Sequence, residues 1–231
     1  MNADPFVCAV LGLPVGWFAG VLIDRVPDRL PLRPLPGVRL RGVHLAVLVA
    51  MVVLFGLVGW RFWREPPLFI AGYLLLTAML VTVSVIDLTL YRLPDRIVLP
   101  TLGASLLIIV VESLRASAPS QIKYALVGAL IYFGFLLVVH LISPAGMGFG
   151  DVKLAAVMGL YLGWLAPSYQ GAFALVLWGM LVGFVSGSLV GIVMLVARRR
   201  STPIPFGPFL ALGALTVVLI GQNLVSVTLV A

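Results

Sequence analysis

Residues 68–86 form a run of nineteen amino acids without one charge, and residues 171–197 form a second, of twenty-seven. The hydrocarbon core of a bilayer is about 30 Å thick and takes about 20 apolar residues in a helix to cross. Six further apolar stretches lie at 6–23, 43–60, 97–111, 124–142, 152–165 and 209–230. In lipid the backbone must satisfy its own hydrogen bonds, and runs this long do so as helices. The expectation is an all-α, polytopic transmembrane helical bundle of about eight spans. The runs at 97–111 and 152–165 are short for a span. With 62% hydrophobic and 10% charged residues, the chain has too little polar surface for a soluble domain of its length.

The formal net charge is +7, but the basic residues sit in short loops between apolar runs. With the N-terminus outside, eleven of the fifteen fall in loops on the inner side, and Arg61, Arg64, Arg115 and Lys123 fall outside. The positive-inside rule selects this orientation, and no nucleic-acid partner is expected. Residues 1–66 then form a unit of membrane segments with a short basic cytoplasmic loop at 24–42, and 67–231 a second unit. The opening Met1–Pro5 lacks the basic start of a signal peptide, so the first run is expected to be retained as a helix. Cys8 is the single cysteine and reads as a small apolar side chain. His44 and His140 are isolated along the chain and read as hydrogen-bonded helix histidines. No metal site is expected. Gly179, Gly183, Gly187 and Gly191 recur every four residues and read as a helix-packing face.

Chemistry is expected of the acids. Asp87 closes the third apolar run, where the helix dipole disfavours an anion. Asp151 opens the sixth, after Gly146, Gly148 and Gly150, which leave the backbone free to bend and another chain free to approach. The topology puts both acids at one depth, the cytoplasmic edge of the bilayer. As an isolated residue, Asp151 reads equally as a helix N-cap. Asp95, after Pro94, reads as a cap for the fourth run, and Lys153 as a snorkelling side chain. Two carboxylates at a partly dehydrated edge do not both ionise comfortably. One charged and one protonated acid can activate a water and stabilise the oxyanion it forms. The same pair could equally relay protons in a transporter.

Gly148-x-Gly150-Asp151 resembles the Gly-x-Gly-Asp signature of membrane aspartyl proteases, and with Lys153-Leu154 it resembles the type IV prepilin peptidases. Asp87 followed by Leu93-Pro94-Asp95 is similar to that family's Asp-x5-(Leu/Ile)-Pro-Asp motif. Thr202-Pro203-Ile204-Pro205-Phe206-Gly207-Pro208 is similar to its Pro-x-Pro-Phe-Gly-Pro stretch. Gly16-x-Phe18 and Arg25-Val26-Pro27 resemble its opening, with Trp17 in place of serine and Gly20 in place of asparagine. The resemblance covers nearly the whole chain. It implies an aspartic endopeptidase domain at 67–231 in a bacterial inner membrane, with the catalytic pair Asp87 and Asp151 and with Gly148, Gly150, Lys153 and Asp95 in support. Its substrates would be prepilins or pseudopilins, cut at the cytoplasmic face without a cofactor. Many members also methylate the new N-terminus with S-adenosylmethionine and carry two Cys-x-x-Cys pairs between the first two spans. The loop 24–42 has no cysteine, so zinc is not expected and methylation stays open. A presenilin-like protease would show Tyr-Asp and Pro-Ala-Leu motifs; here Ile86-Asp87 stands alone. A proton-coupled carrier would show paired broken-helix repeats, which are not evident.

Overall fold

The computed structural model describes residues 4–25, 42–144, 146–196 and 205–230, with 222–230 as backbone only. The basic loop positions Arg29, Arg33, Arg39 and Arg41, the run 198–200 and residues 201–204 lie outside the described residues. Eight helices follow in order: α1 Pro5–Arg25, α2 Gly42–Arg61, α3 Pro67–Leu90, α4 Asp95–Arg115, α5 Ser120–Ile142, α6 Phe149–Trp164, α7 Tyr169–Val196 and α8 Gly207–Val230. Proline sets several starts: Pro67 occupies the first turn of α3, and Pro94 and Pro119 stand just before α4 and α5. Proline lacks the N–H that a helix start leaves unpaired, and its fixed φ suits the first turn.

Among the described residues, six helices, α1 to α5 and α7, are long and apolar enough to cross a membrane. The run at 97–111 proves to be part of a 21-residue helix, because Asp95, Arg96 and residues 112–115 extend it at both ends. The run at 152–165 stays short, as 16-residue α6.

Three sequential pairs, α1 with α2, α5 with α6 and α7 with α8, pack most closely. Where α5 meets α6, a Cβ added at Gly128 would overlap the Gly159 carbonyl, and one at Gly163 would overlap that of Tyr124. Small residues let backbones touch, which favours helix association where lipid supplies no hydrophobic drive. Gly179, Gly183 and Gly187 of α7 do the same towards α8, against Gly213, Leu210 and Phe209.

Helices α3 and α6 form the centre. Each touches the other, and both touch α4 and α8; α3 also meets α1 and α2, and α6 meets α5 and α7. Only Phe149, Gly150, Lys153 and Ala156 of α6 are not fully buried. A helix apolar on all sides belongs inside a bundle. At one end, Tyr73 and Trp164 stack at 5.5 Å, Phe62 stacks on Tyr73 at 4.7 Å, the Tyr73 hydroxyl donates to the Tyr161 carbonyl, and Tyr161 bonds Ser105. This aromatic knot locks α3 to α6 at the end away from their aspartates.

Candidate active site

Asp87 lies in the last turn of α3. The chain turns away directly after it: Tyr91 takes a left-handed conformation (φ 54°) and donates its N–H to the Asp87 carbonyl at 2.9 Å. The Asp87 side chain is buried, 5% exposed, and its Oδ2 accepts the Gly207 N–H at 3.0 Å. Gly207 is the first residue of α8. The anion that the α3 dipole disfavours therefore meets the positive end of another helix. A Cβ at Gly207 would stand 2.8 Å from that oxygen, so a glycine is needed for the approach.

Asp151 is 7% exposed and does not cap α6. Gly148 holds the cap position without any side-chain capping bond. Phe149 and Gly150 are already helical, which places Asp151 third in the first turn, its N–H donating to the Gly148 carbonyl at 3.1 Å. The carboxylate is left to face inward, and among the described residues its buried Oδ1 has no hydrogen-bond partner.

Asp87 and Asp151 line one cavity of about 390 Å³, with Arg92, Gly148, Gly150 and Phe206 also in its wall. Two carboxylates that line one cavity disfavour each other's ionisation. Two helix N-termini, of α6 and α8, converge there. Such an arrangement favours one negative charge, while burial works against two.

Three sequence motifs interlock around this cavity. A Cβ at Gly150 would lie 2.8 Å from the Leu93 Cβ, so Leu93 packs directly on the glycine ladder. Lys153 Nζ reaches both Asp95 oxygens, at 2.7 and 2.8 Å, and lies 5.1 Å from the Phe149 ring centre. Asp95 is thus an ion-pair partner and not the cap of α4: Pro94 holds that position with no side-chain bond. Asp95 is already the first helical residue, so its side chain is free to reach across to α6. Lys153 is correspondingly tied to protein through Asp95.

Sequence reasoning set the histidines aside as hydrogen-bonded, and they are. His44 Nε2 lies 3.0 Å from Asp24 Oδ2. His140, in the last turn of α5, lies with Nδ1 2.7 Å from the Met147 carbonyl and its ring 5.5 Å from Phe149. It pins the glycine ladder one residue before Gly148, a role its position in the sequence did not suggest. Gly207 was also missed as a site residue. The motif around it was visible, but its contact with Asp87 spans 120 residues of chain. Among the described residues, no group of three or more His, Cys, Asp or Glu side chains could hold a metal ion.

A polytopic helical bundle whose two central helices bring buried aspartates to one cavity is the class of protein defined here. Residues 74–222 match the model of the type IV leader peptidase family, and the chain belongs to that family. Curated relatives carry the name "Prepilin leader peptidase/N-methyltransferase". The protein of Aeromonas salmonicida (strain A449) is 34% identical over 193 residues, which are 82% of this chain and 59% of the relative. That of Stutzerimonas stutzeri is 35% identical over 185 residues, 76% of this chain and 58% of the relative. That of Bacillus subtilis (strain 168) is 32% identical over 193 residues, covering 82% and 71%. The chain thus spans somewhat under three fifths of the Aeromonas and Stutzerimonas proteins that it matches. No solved structure matches it.

Proposed function

We propose that this chain is a membrane aspartic endopeptidase that removes the leader of a prepilin or pseudopilin, with Asp87 and Asp151 as its catalytic pair. The observation that carries the reading is the meeting of two buried aspartates, 64 positions apart in the sequence, in one cavity walled by all three motifs. The family match at 74–222 falls inside the unit 67–231 and supports reading that unit as the peptidase domain.

The surroundings divide the work between the acids. Asp87 receives a backbone N–H at the start of α8, a bond that favours the charged form. Asp151 Oδ1 is buried without a partner among the described residues, where a neutral carboxyl is the stable form. Asp87 takes a proton from water as the water attacks the scissile carbonyl, and Asp151 donates a hydrogen bond to the developing oxyanion. The tetrahedral intermediate collapses when the proton gained by Asp87 passes to the leaving amine. Gly148 leaves room for a peptide backbone beside Asp151, Gly150 lets Leu93 pack against the ladder, and the pairing of Lys153 with Asp95 ties α6, which carries Asp151, to the start of α4. The substrate's apolar helix would lie in the bilayer, with its basic leader on the cytoplasmic side.

The relatives' names support a second activity, N-methylation of the new terminus with S-adenosylmethionine. One assay tests both readings: purified protein in detergent, a prepilin and S-adenosylmethionine, followed by mass spectrometry beside Asp151→Asn. Loss of the leader with the parent protein alone is expected, and an added methyl mass would establish the second activity. If the parent cuts none of several prepilins, the peptidase reading fails and a proton-relay role for the two acids takes its place.

A further inference from the structure

At the other end of α3, about 20 residues and so roughly 30 Å along the helix from Asp87, lies a second and larger cavity of about 620 Å³. Its wall is made by Pro66, Pro67, Leu68 and Ala71 at the start of α3 and by Glu112 and Arg115 at the end of α4. It has no part in the chemistry of the aspartate pair.

Glu112 is the unexplained group. Its side chain is buried, 6% exposed, yet among the described residues it has neither a hydrogen-bond nor an ion-pair partner. It stands in the last turn of α4, where the helix dipole repels an anion. Only α3, α5 and α6 pack on α4; Lys123 near the start of α5 forms no ion pair with Glu112, and Lys153 of α6 is paired with Asp95. Arg115 lies one turn on in the same wall, exposed and not paired with Glu112. The Glu112 carboxylate oxygens are not among the enclosed unpartnered atoms and so open onto the cavity, where an ionisable group at the end of an apolar span asks for a partner. The cavity sits at the end of two spans, where headgroups meet protein, and its remaining wall is apolar.

We propose that this cavity seats the headgroup of a zwitterionic aminophospholipid, its ammonium on Glu112 and its phosphate on Arg115. A primary ammonium brings three N–H donors to a carboxylate that has none, and a guanidinium suits phosphate oxygens. The prolines, Leu68 and Ala71 take the glycerol and the upper acyl chain. A choline headgroup has the same charge but no N–H. A glycerol headgroup has no cation. The pair of residues therefore discriminates by chemistry and not by charge alone. This inference is independent of the peptidase reading.

The test is native mass spectrometry of the purified, delipidated full chain with phosphatidylethanolamine, phosphatidylcholine and phosphatidylglycerol of identical acyl chains. Phosphatidylethanolamine should bind about tenfold more tightly than phosphatidylcholine, the worth of one charge-assisted hydrogen bond. Glu112→Gln should bring the two to the same affinity, and Arg115→Gln should weaken both alike. Equal binding of the two lipids by the parent, preference for phosphatidylglycerol, or an undiminished preference in Glu112→Gln would each overturn the assignment. Soluble phosphoethanolamine at equal concentration should not displace the lipid; if it does, the cavity takes a small phosphate ester and the lipid assignment falls. The headgroup comparison on the parent needs no variant, so a substitution that fails to fold leaves the test standing.

Discussion

Asp87 and Asp151 have near-equal burial and unequal surroundings, a backbone N–H for one and an unpartnered oxygen for the other. Replacing either by Asn removes an ionisable group that the proposed reaction needs, so Asp87→Asn and Asp151→Asn should each abolish cleavage while the protein still inserts in the membrane. Full activity in either variant, read by loss of the leader in mass spectrometry, would falsify the catalytic pair. His140 gives a second prediction at this scale. Its Nδ1 holds the Met147 carbonyl, and the freed ladder of glycines would sample many conformations. His140→Leu should lower kcat by about tenfold, the effect of losing one positioning hydrogen bond, with little change in KM. His140→Asn, whose amide N–H can reach the same carbonyl, should recover most of it. A matching loss in both variants would mean that packing against Phe149, and not the hydrogen bond, is what matters. The acids were legible in the sequence because an ionisable residue in an apolar chain stands out. Gly207 and His140 were not, since a backbone donor and a ring that binds a carbonyl leave no mark in composition or spacing.

At the scale of elements, the glycines of α7 recur at a fixed spacing, and Gly159 and Gly163 of α6 share that spacing of four, so both packing faces leave a mark in the sequence. Gly128 belongs to no such repeat, and its pairing with Gly159 appears only when α5 and α6 lie side by side. Gly128→Ala should destabilise the protein by about 1–3 kcal/mol, the usual cost of overpacking, because its Cβ would overlap a backbone carbonyl that cannot swing aside. Gly134→Ala on the same helix meets nothing within 4 Å and should be neutral or stabilising by up to about 1 kcal/mol, from helix propensity alone. Thermal unfolding in detergent separates the two. The Lys153–Asp95 pair joins α6 to α4, with Lys153 25% and Asp95 55% exposed. A double-mutant cycle for this pair should return no more than about 1 kcal/mol of stability. Its larger consequence should be on cleavage, through the seating of α6, which carries Asp151, against the start of α4.

For the whole molecule, the inside and outside of the bundle follow from where its charges lie. In a chain with Cys8 replaced by Ala, a cysteine at Arg96 should be labelled by an impermeant reagent only from the cytoplasmic side. One at Lys123, across α4, should be labelled only from outside. Reversed labelling would turn the bundle over and move the aspartate cavity to the other face. The sequence alone determined that the chain is helical and made for a membrane, and the charge rule sets the expected orientation that the labelling tests. Hydropathy and charge are sums over stretches of residues, and they need no knowledge of neighbours. Only the tertiary structure decided that α3 and α6 are the central helices. It alone turned Asp151 inward from the first turn of α6, set Asp87 against the start of α8, and gave Lys153 to Asp95. Each of these depends on contacts between residues far apart in the chain, and such contacts exist only once the helices have packed.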